Sequence, residues 1–196
     1  MNIRIQPLTP ELSADYFDFF ENRAFTDNSP YRCYCQLYQM SKEQQKAAFH
    51  NVKGDDIGHV SRNIAKQQID AGMLRGYLAF DDGVAIGWCN ANDKANFPME
   101  SCTGDCFFAP AKKREMAVVC FEIAPKYRGK GIASALLQQV IDHGRAEGYI
   151  AVEGFPAVRR ERFEWDCAGP QRLYEKAGFV QVAVQEKHVV MRKELK

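Results

Sequence analysis

Along this chain the spacing of apolar positions switches between a two-residue and a helical period, and each switch marks an element. Ile3-Arg4-Ile5-Gln6 alternates as a first strand. Thr9-Pro10-Glu11 then reads as a helix start, with Thr9 as cap and proline at the first helical position. Leu12, Tyr16, Phe19 and Phe20 give that helix one apolar face, and Asn28-Ser29-Pro30 ends it. Lys42–His50 and Val60–Ala71 carry helical spacing around a polar loop, Lys53-Gly54-Asp55-Asp56. Gly76–Phe80 and Val84–Cys89 flank Asp81-Asp82-Gly83 as a hairpin, with glycine where a positive φ is needed. Asn90–Lys113 is polar and broken by Pro98 and Pro110, so it reads as a long loop of the kind that is usually functional.

The centre of the pattern is Ala117–Leu137. Val118, Val119, Phe121 and Ile123 form a short apolar run stopped by Ala124-Pro125, as expected of a strand covered on both faces. A helix follows, with Ala133, Leu136, Leu137, Val140 and Ile141 on one side and Gly148 as its left-handed end. Tyr149–Glu153 predicts another strand, Gly169–Ala177 a short helix ended by Gly178, and Phe179–Val184 with His188–Arg192 a closing hairpin; Val158–Asp166 is charged and receives no assignment. The order predicts an α/β chain with a mixed sheet of about six to seven strands and helices on both faces, in one domain spanning residues 1–196.

Composition narrows the class. With 196 residues, 46% of them hydrophobic, the chain can bury a full core without a metal or disulfides. A net charge of +1 gives no electrostatic basis for holding a polyanion, which argues against nucleic acid as a partner. No apolar run reaches the length of a membrane span, and the first strand begins at once, so neither a membrane segment nor a secretory signal is expected and the location is read as cytoplasmic. Seven cysteines, an odd count, then imply reduced thiols. Cys33-x-Cys35 and Cys102-x-x-x-Cys106 raise the idea of a structural zinc, but neither half has the usual C-x-x-C knuckle, and no metal is expected.

The candidate chemistry lies between the central strand and helix, in Arg128-Gly129-Lys130-Gly131-Ile132-Ala133. Two glycines and an alanine allow close backbone approach, the first helical turn offers unpaired N–H donors, and Arg128 and Lys130 add charge, so a diphosphate is the expected guest. The spacing fits neither the nucleoside-triphosphate loop G-x-x-x-x-G-K-[S/T] nor the dinucleotide fingerprint G-x-G-x-x-G. It does fit R-x-x-G-x-G/A, as Arg128-x-x-Gly131-x-Ala133, and Leu173-Tyr174-Glu175-Lys176-Ala177-Gly178-Phe179 follows downstream. Together these resemble the acetyl-CoA loop and the l-Y-e-k-x-G-F segment of the GNAT superfamily of N-acetyltransferases. The likeness is close from Gly76 onward and holds in outline before it. Cys33-Tyr34-Cys35 is similar to Cys-aromatic-Cys segments in one bacterial branch of that superfamily.

The resemblance implies a GNAT-like fold, acetyl-CoA as co-substrate, and transfer of its acetyl group to a primary amine, most simply of a small molecule; it leaves a homodimer open. It places the diphosphate on the backbone N–H groups of Arg128, Gly129, Lys130, Gly131, Ile132 and Ala133. It pairs the main chain of Phe121, Glu122 and Ile123 with the pantetheine amides. One N–H on that strand would polarise the thioester carbonyl, a contribution of about 3 kcal/mol for such donors. Tyr174, in the downstream motif, is implied as the acid that protonates the leaving thiolate. Cys167 and Pro170 depart from the family pattern, which has an asparagine and an alanine there. For the general base the residues offer Glu122, with Glu115, Glu153 and a water relay as rivals. Cys33, Tyr34 and Cys35 are read as an acceptor-pocket wall, and His50, His59, His143 and His188 as structural. The alternative to an enzyme is a catalytically inactive module that binds acyl-CoA as a sensor or interaction surface.

Overall fold

The computed structural model describes residues 1–29, 32–98, 114–158, 166–185 and 187–195. Seven strands form one sheet: β1 (Ile3–Pro7), β2 (Gly76–Asp81), β3 (Val84–Asp93), β4 (Glu115–Ile123), β5 (Ala151–Gly154), β6 (Val180–Val184) and β7 (Val189–Glu194). Their order is β1-β2-β3-β4-β5-β7-β6. Among the described strands only β4 and β5 run parallel, joined by the helix α4 (Ile132–Ala146). The other helices are α1 (Ser13–Asn22), α2 (Lys42–Ala48), α3 (Asp56–Asp70) and α5 (Gln171–Lys176). Among the described residues no helix is long and apolar enough to cross a membrane.

Both faces of the sheet are covered, as the apolar pattern requires. On one face α1 and α3 bury Tyr16, Phe19, Phe20, Ala65 and Ile69 against Leu78, Trp88 and Ala117. On the other, α4 and α5 bury Leu136, Leu137, Val140, Ile141, Leu173 and Tyr174 against Ile86, Val118 and Val152. The hairpin turn has both Asp82 (φ 48°) and Gly83 (φ 82°) in the left-handed region, the tight turn whose twist matches its strands.

Several expectations are corrected. Thr9 makes no side-chain cap; its hydroxyl bonds the Glu11 carboxylate, Pro10–Leu12 is a single 3-10 turn, and the α-helix starts at Ser13 and ends at Asn22, before the predicted break. The third helix begins at Asp56, inside the predicted loop, and β5 begins at Ala151 and not Tyr149. The predicted loop at Asn90 is strand as far as Asp93, because its polar side chains are buried and satisfied: Asn90 bonds Gln39 and Cys35, and Asn92 bonds the Met73 carbonyl and Asn96. The remainder of that predicted loop, residues 99–113, and residues 159–165 of the unassigned stretch lie outside the described residues.

Two features of β4 shape the cleft. Asn90 pairs with Cys120 and Ala91 with Val118, so Val119 is an extra residue, a β-bulge, and both Val119 and Cys120 face α1. Pairing with β5 runs only from Glu115↔Ala151 to Val118↔Gly154, beyond which the two strands part. Gly154 sits at the parting because a Cβ there would collide with the Tyr174 ring. That ring is fully buried between Phe121 and Phe179, with centroids 6.4 and 5.4 Å away, and has no room to withdraw. Gly154→Ala is therefore expected to cost about 1–3 kcal/mol, the usual range for overpacking. The check is a lower urea midpoint at unchanged slope; an unmoved midpoint would show that the ring yields freely.

Candidate active site

A cleft of about 490 Å³ opens where β4 leaves β5. Its walls are the end of β4, the turn into α4 and the start of α5, which places Phe121, Glu122, Ile123, Arg128, Gly129, Gly131, Ile132 and Ala133 together. Ala124 N–H donates to Ile86 O at 3.0 Å, so by antiparallel alternation the N–H groups of Phe121 and Ile123 face the other way, into the parting. Gly129 (φ 75°) and Gly131 (φ 85°) are both left-handed, and a Cβ on either would meet nothing within 4 Å. The turn is thus bare backbone beside open space. Gly131 caps α4 without any side-chain bond, which leaves the first N–H groups of the helix directed at the cleft.

The charges differ from the sequence reading. Arg128 turns away from the turn: Nε bonds Ile123 O at 3.1 Å, and the other guanidinium nitrogens meet Asp27 and Glu122. Lys130 lies over the Tyr127 ring, 5.2 Å from its centroid, and does not line the cleft. Arg172 and Lys176, one turn apart on α5, line it instead. Their i,i+4 spacing was visible in the sequence; that this face of α5 turns toward the glycines was not.

The three candidate bases separate cleanly. Glu115 and Glu153 are bound into a buried network in which Lys94 reaches Glu153 at 2.6 Å and Glu115 at 3.4 Å, and Arg192 reaches them at 2.8 and 3.0 Å. Arg192 also bonds Glu194, so three carboxylates share two cations there, and Glu115 and Glu153, held in these pairs away from the cleft, are removed as bases. Glu122 lines the cleft. Burial pushes its carboxyl up to about 7, against the pull of Arg128 at 3.4 Å.

Tyr174 is placed differently from the motif's implication. Its hydroxyl does not line the cleft but donates to Ala168 O at 2.7 Å, and burial raises it well above the usual phenol range. Of the predicted acceptor wall, Tyr34 points outward to Glu21 at 3.2 Å, and Cys35 is buried with its Sγ 3.3 Å from Asn90 Nδ2. Cys33 alone lies within electrostatic reach of Glu122 and Cys167. None of His50, His59, His143 and His188 lines the cleft; His143 packs on the Tyr77 ring. Among the described residues no cluster of three or more His, Cys, Asp or Glu is arranged to hold a metal, and Cys102 and Cys106 lie outside them.

The model of the Acetyltransferase (GNAT) family matches residues 36–179, well over half of the chain, including the whole cleft. The chain belongs to the GNAT acetyltransferase family. Similar solved structures include the PaiA N-acetyltransferase from Thermoplasma acidophilum in complex with coenzyme A, at 15% identity and TM-score 0.55 with 99% of each chain covered. A GNAT-family acetyltransferase from Streptococcus pneumoniae gives 16% and 0.55 over 100% of both chains. The ribosomal-protein-S5-alanine acetyltransferase from Vibrio fischeri gives 14% and 0.59, covering 100% of this chain and 94% of its own. At these identities the likeness is one of fold. No curated protein matches the chain.

The Glu122 environment makes a sign-specific prediction. A carboxyl whose folded pKa is raised from 4.5 to about 7 stabilises the fold fully only below 4.5, and this contribution is lost as the pH rises through 7. Glu122→Gln does not titrate. Relative to wild type, the variant should therefore gain up to about 3 kcal/mol between pH 4.5 and about pH 8. Denaturant unfolding at both pH values measures the difference, and a flat difference would return Glu122 to an ordinary carboxylate.

Proposed function

We propose that this acetyltransferase uses acetyl-CoA and acetylates a primary amine of a small molecule, by direct attack of the amine on the thioester. The observation that carries the reading is a single cleft in which the bare Gly129–Gly131 turn, the end of β4 beyond its pairing with β5 and the Glu122 carboxylate meet. The residues fit the coenzyme: the open space over both glycines and the unpaired first turn of α4 suit a diphosphate, and Arg172 and Lys176 supply the cations that Arg128 and Lys130 do not. Bound acetyl-CoA would supply an activated carbonyl with a thiolate leaving group.

In this reading the N–H of Ile123, and that of Phe121 once it is released from Cys167 O, orient the pantetheine arm, and one of them polarises the carbonyl. Glu122, held near neutrality, takes the proton from the incoming ammonium, the task for which a pKa close to the working pH is best suited. Tyr174 is the residue that the motif assigns to return a proton to the departing sulfur; its raised pKa keeps it protonated on Ala168 O, and a shift of the Ala168 segment would be needed to bring it to the cleft. On the acceptor side Asp27, Tyr38 and Cys33 stand against Arg128, Cys167 and Glu122. Family membership and a neutral-range carboxyl in the cleft both favour turnover over a silent binding module.

Coenzyme binding is tested by thermal shift with Gly131→Val, whose side chain takes the space over the turn. At a hundredfold excess over Kd the wild type should gain about 2.7 kcal/mol, and the folded variant little. Equal gains would remove the diphosphate from this turn. Turnover is tested by a screen of small amines with detection of the released thiol. With an accepted amine, Glu122→Gln should lower kcat by a factor of about a hundred to ten thousand and abolish the rise in rate near pH 7. An unchanged pH profile would assign the proton to water, and turnover only on peptide amines would overturn the small-molecule acceptor.

A further inference from the structure

One short segment holds two of the groups that the proposed chemistry uses. Where β4 and β5 part, the edge of β4 is not open throughout: Phe121 N–H donates to Cys167 O at 2.6 Å. The next carbonyl, that of Ala168, accepts the Tyr174 hydroxyl at 2.7 Å. Gly169 completes the strap, packed so closely that a Cβ would lie 3.4 Å from the Phe121 ring and 3.0 Å from Leu173. Asp166–Gly169 therefore occupies the strand edge that an incoming pantetheine arm would have to pair with.

The side chain of Cys167 decides how firmly the strap is held. Its Sγ is 3.5 Å from the Tyr38 hydroxyl and hydrogen-bonds the Cys120 thiol, which in turn hydrogen-bonds Cys35. Cys120 faces this side because of the bulge at Val119. Access is unequal: Cys167 is half-buried and lines the cleft, whereas Cys120 and Cys35 are each 3% exposed. The hydrogen bond from Cys120 outweighs burial and brings the Cys167 thiol down to about 7, with Tyr38 assisting, while Cys120 is raised. A reachable, acidic thiol beside a buried partner thiol is the arrangement of an oxidation-sensitive cysteine with its resolving cysteine.

We infer that Cys167 and Cys120 form an oxidant-sensitive thiol pair, and that their disulfide locks the Asp166–Gly169 strap onto β4 and shuts out the coenzyme. The gating half rests on the reading that this edge receives acetyl-CoA. The oxidant is a hydroperoxide. The Cys167 sulfur attacks the peroxide, an S–O bond forms as the O–O bond breaks, and the alcohol or water that leaves takes up the thiol proton, giving the sulfenic acid. The Cys120 sulfur then attacks the Cys167 sulfur; the S–S bond forms, the S–O bond breaks, and water departs with the Cys120 proton. Two thiols have lost two electrons, and one peroxide has been reduced. A dithiol reductant reverses the step.

The test treats the full chain with hydrogen peroxide, caps the remaining thiols and maps disulfides by peptide mass. We expect two thiols lost per chain, a Cys120–Cys167 link, and recovery with dithiothreitol. A link of Cys120 to Cys35, of Cys33 to Cys35, or over-oxidation of Cys167 with no link, overturns the pair. Thermal shift with coenzyme A then reads the gate. Reduced protein should be stabilised, oxidised protein should not, and Cys120→Ala should respond equally before and after peroxide. A linked protein that responds like the reduced one overturns the gate. Reduced protein with no response refutes the assigned edge and the gate with it, while the mapping still decides the pair. If Cys120→Ala fails to fold, wild type re-reduced after oxidation provides the same comparison, and a response that does not return overturns the lock.

Discussion

The parting of β4 from β5 is the constraint on which the rest of the molecule turns. β5 ends at Gly154, where its pairing with β4 stops at Val118↔Gly154, while β4 runs on to Ile123 with no parallel neighbour beside its second half. The exposed edge carries main-chain donors and acceptors that must be satisfied by something other than a strand. Tyr174 wedges the opening, and Gly154 is the residue type that lets it do so. The glycine turn and the N-terminus of α4 then fall at the mouth of the gap, because β4 leads directly into them. Every component of the cleft is a consequence of that one unpaired edge.

The same geometry sorts chemically identical groups. Glu115, Glu122 and Glu153 all lie on central strands, but the two at the closed end meet Lys94 and Arg192 in an ion-pair network, where an unpaired charge would cost several kcal/mol. Glu122, at the open end, shares Arg128 with Asp27 and is left with an incomplete partner and little solvent. Its raised pKa follows from burial winning over a divided attraction. The cysteines divide in the same way: Cys89 is sealed in the α4 side of the core, while Cys120 and Cys167 are brought into contact across the gap.

Much of the architecture was legible in the chain. The strand–turn–helix at Ala117–Leu137, the hairpin around Asp81-Asp82-Gly83 and the left-handed glycines at 83, 148 and 178 follow from local periodicity and from conformations that only a few residue types tolerate. The strand through Asn90 and Asn92 was hidden, because its polar side chains are satisfied by partners distant in sequence, which no local pattern registers.

What the tertiary structure alone decided is which way groups point and whom they meet. The bulge at Val119 shifts the phase of β4, so the strand's second half faces the opposite way from what strict alternation predicts, and it is this shift that sets Glu122 and Cys120 on the α1 side. Arg128, read from its motif as a phosphate ligand, is claimed by Asp27, which is distant from it in the chain. Arg172 and Lys176 carry the cleft's free charge because α5 docks with that face inward. Cys167 stands where the family pattern has an asparagine, and its contact with Cys120 exists only once β4 has left β5. Local sequence determined the elements and the bare glycine turn, since these depend on near neighbours. The base, the counter-charges and the thiol pair depend on side chains brought together from distant segments, and only packing could choose them.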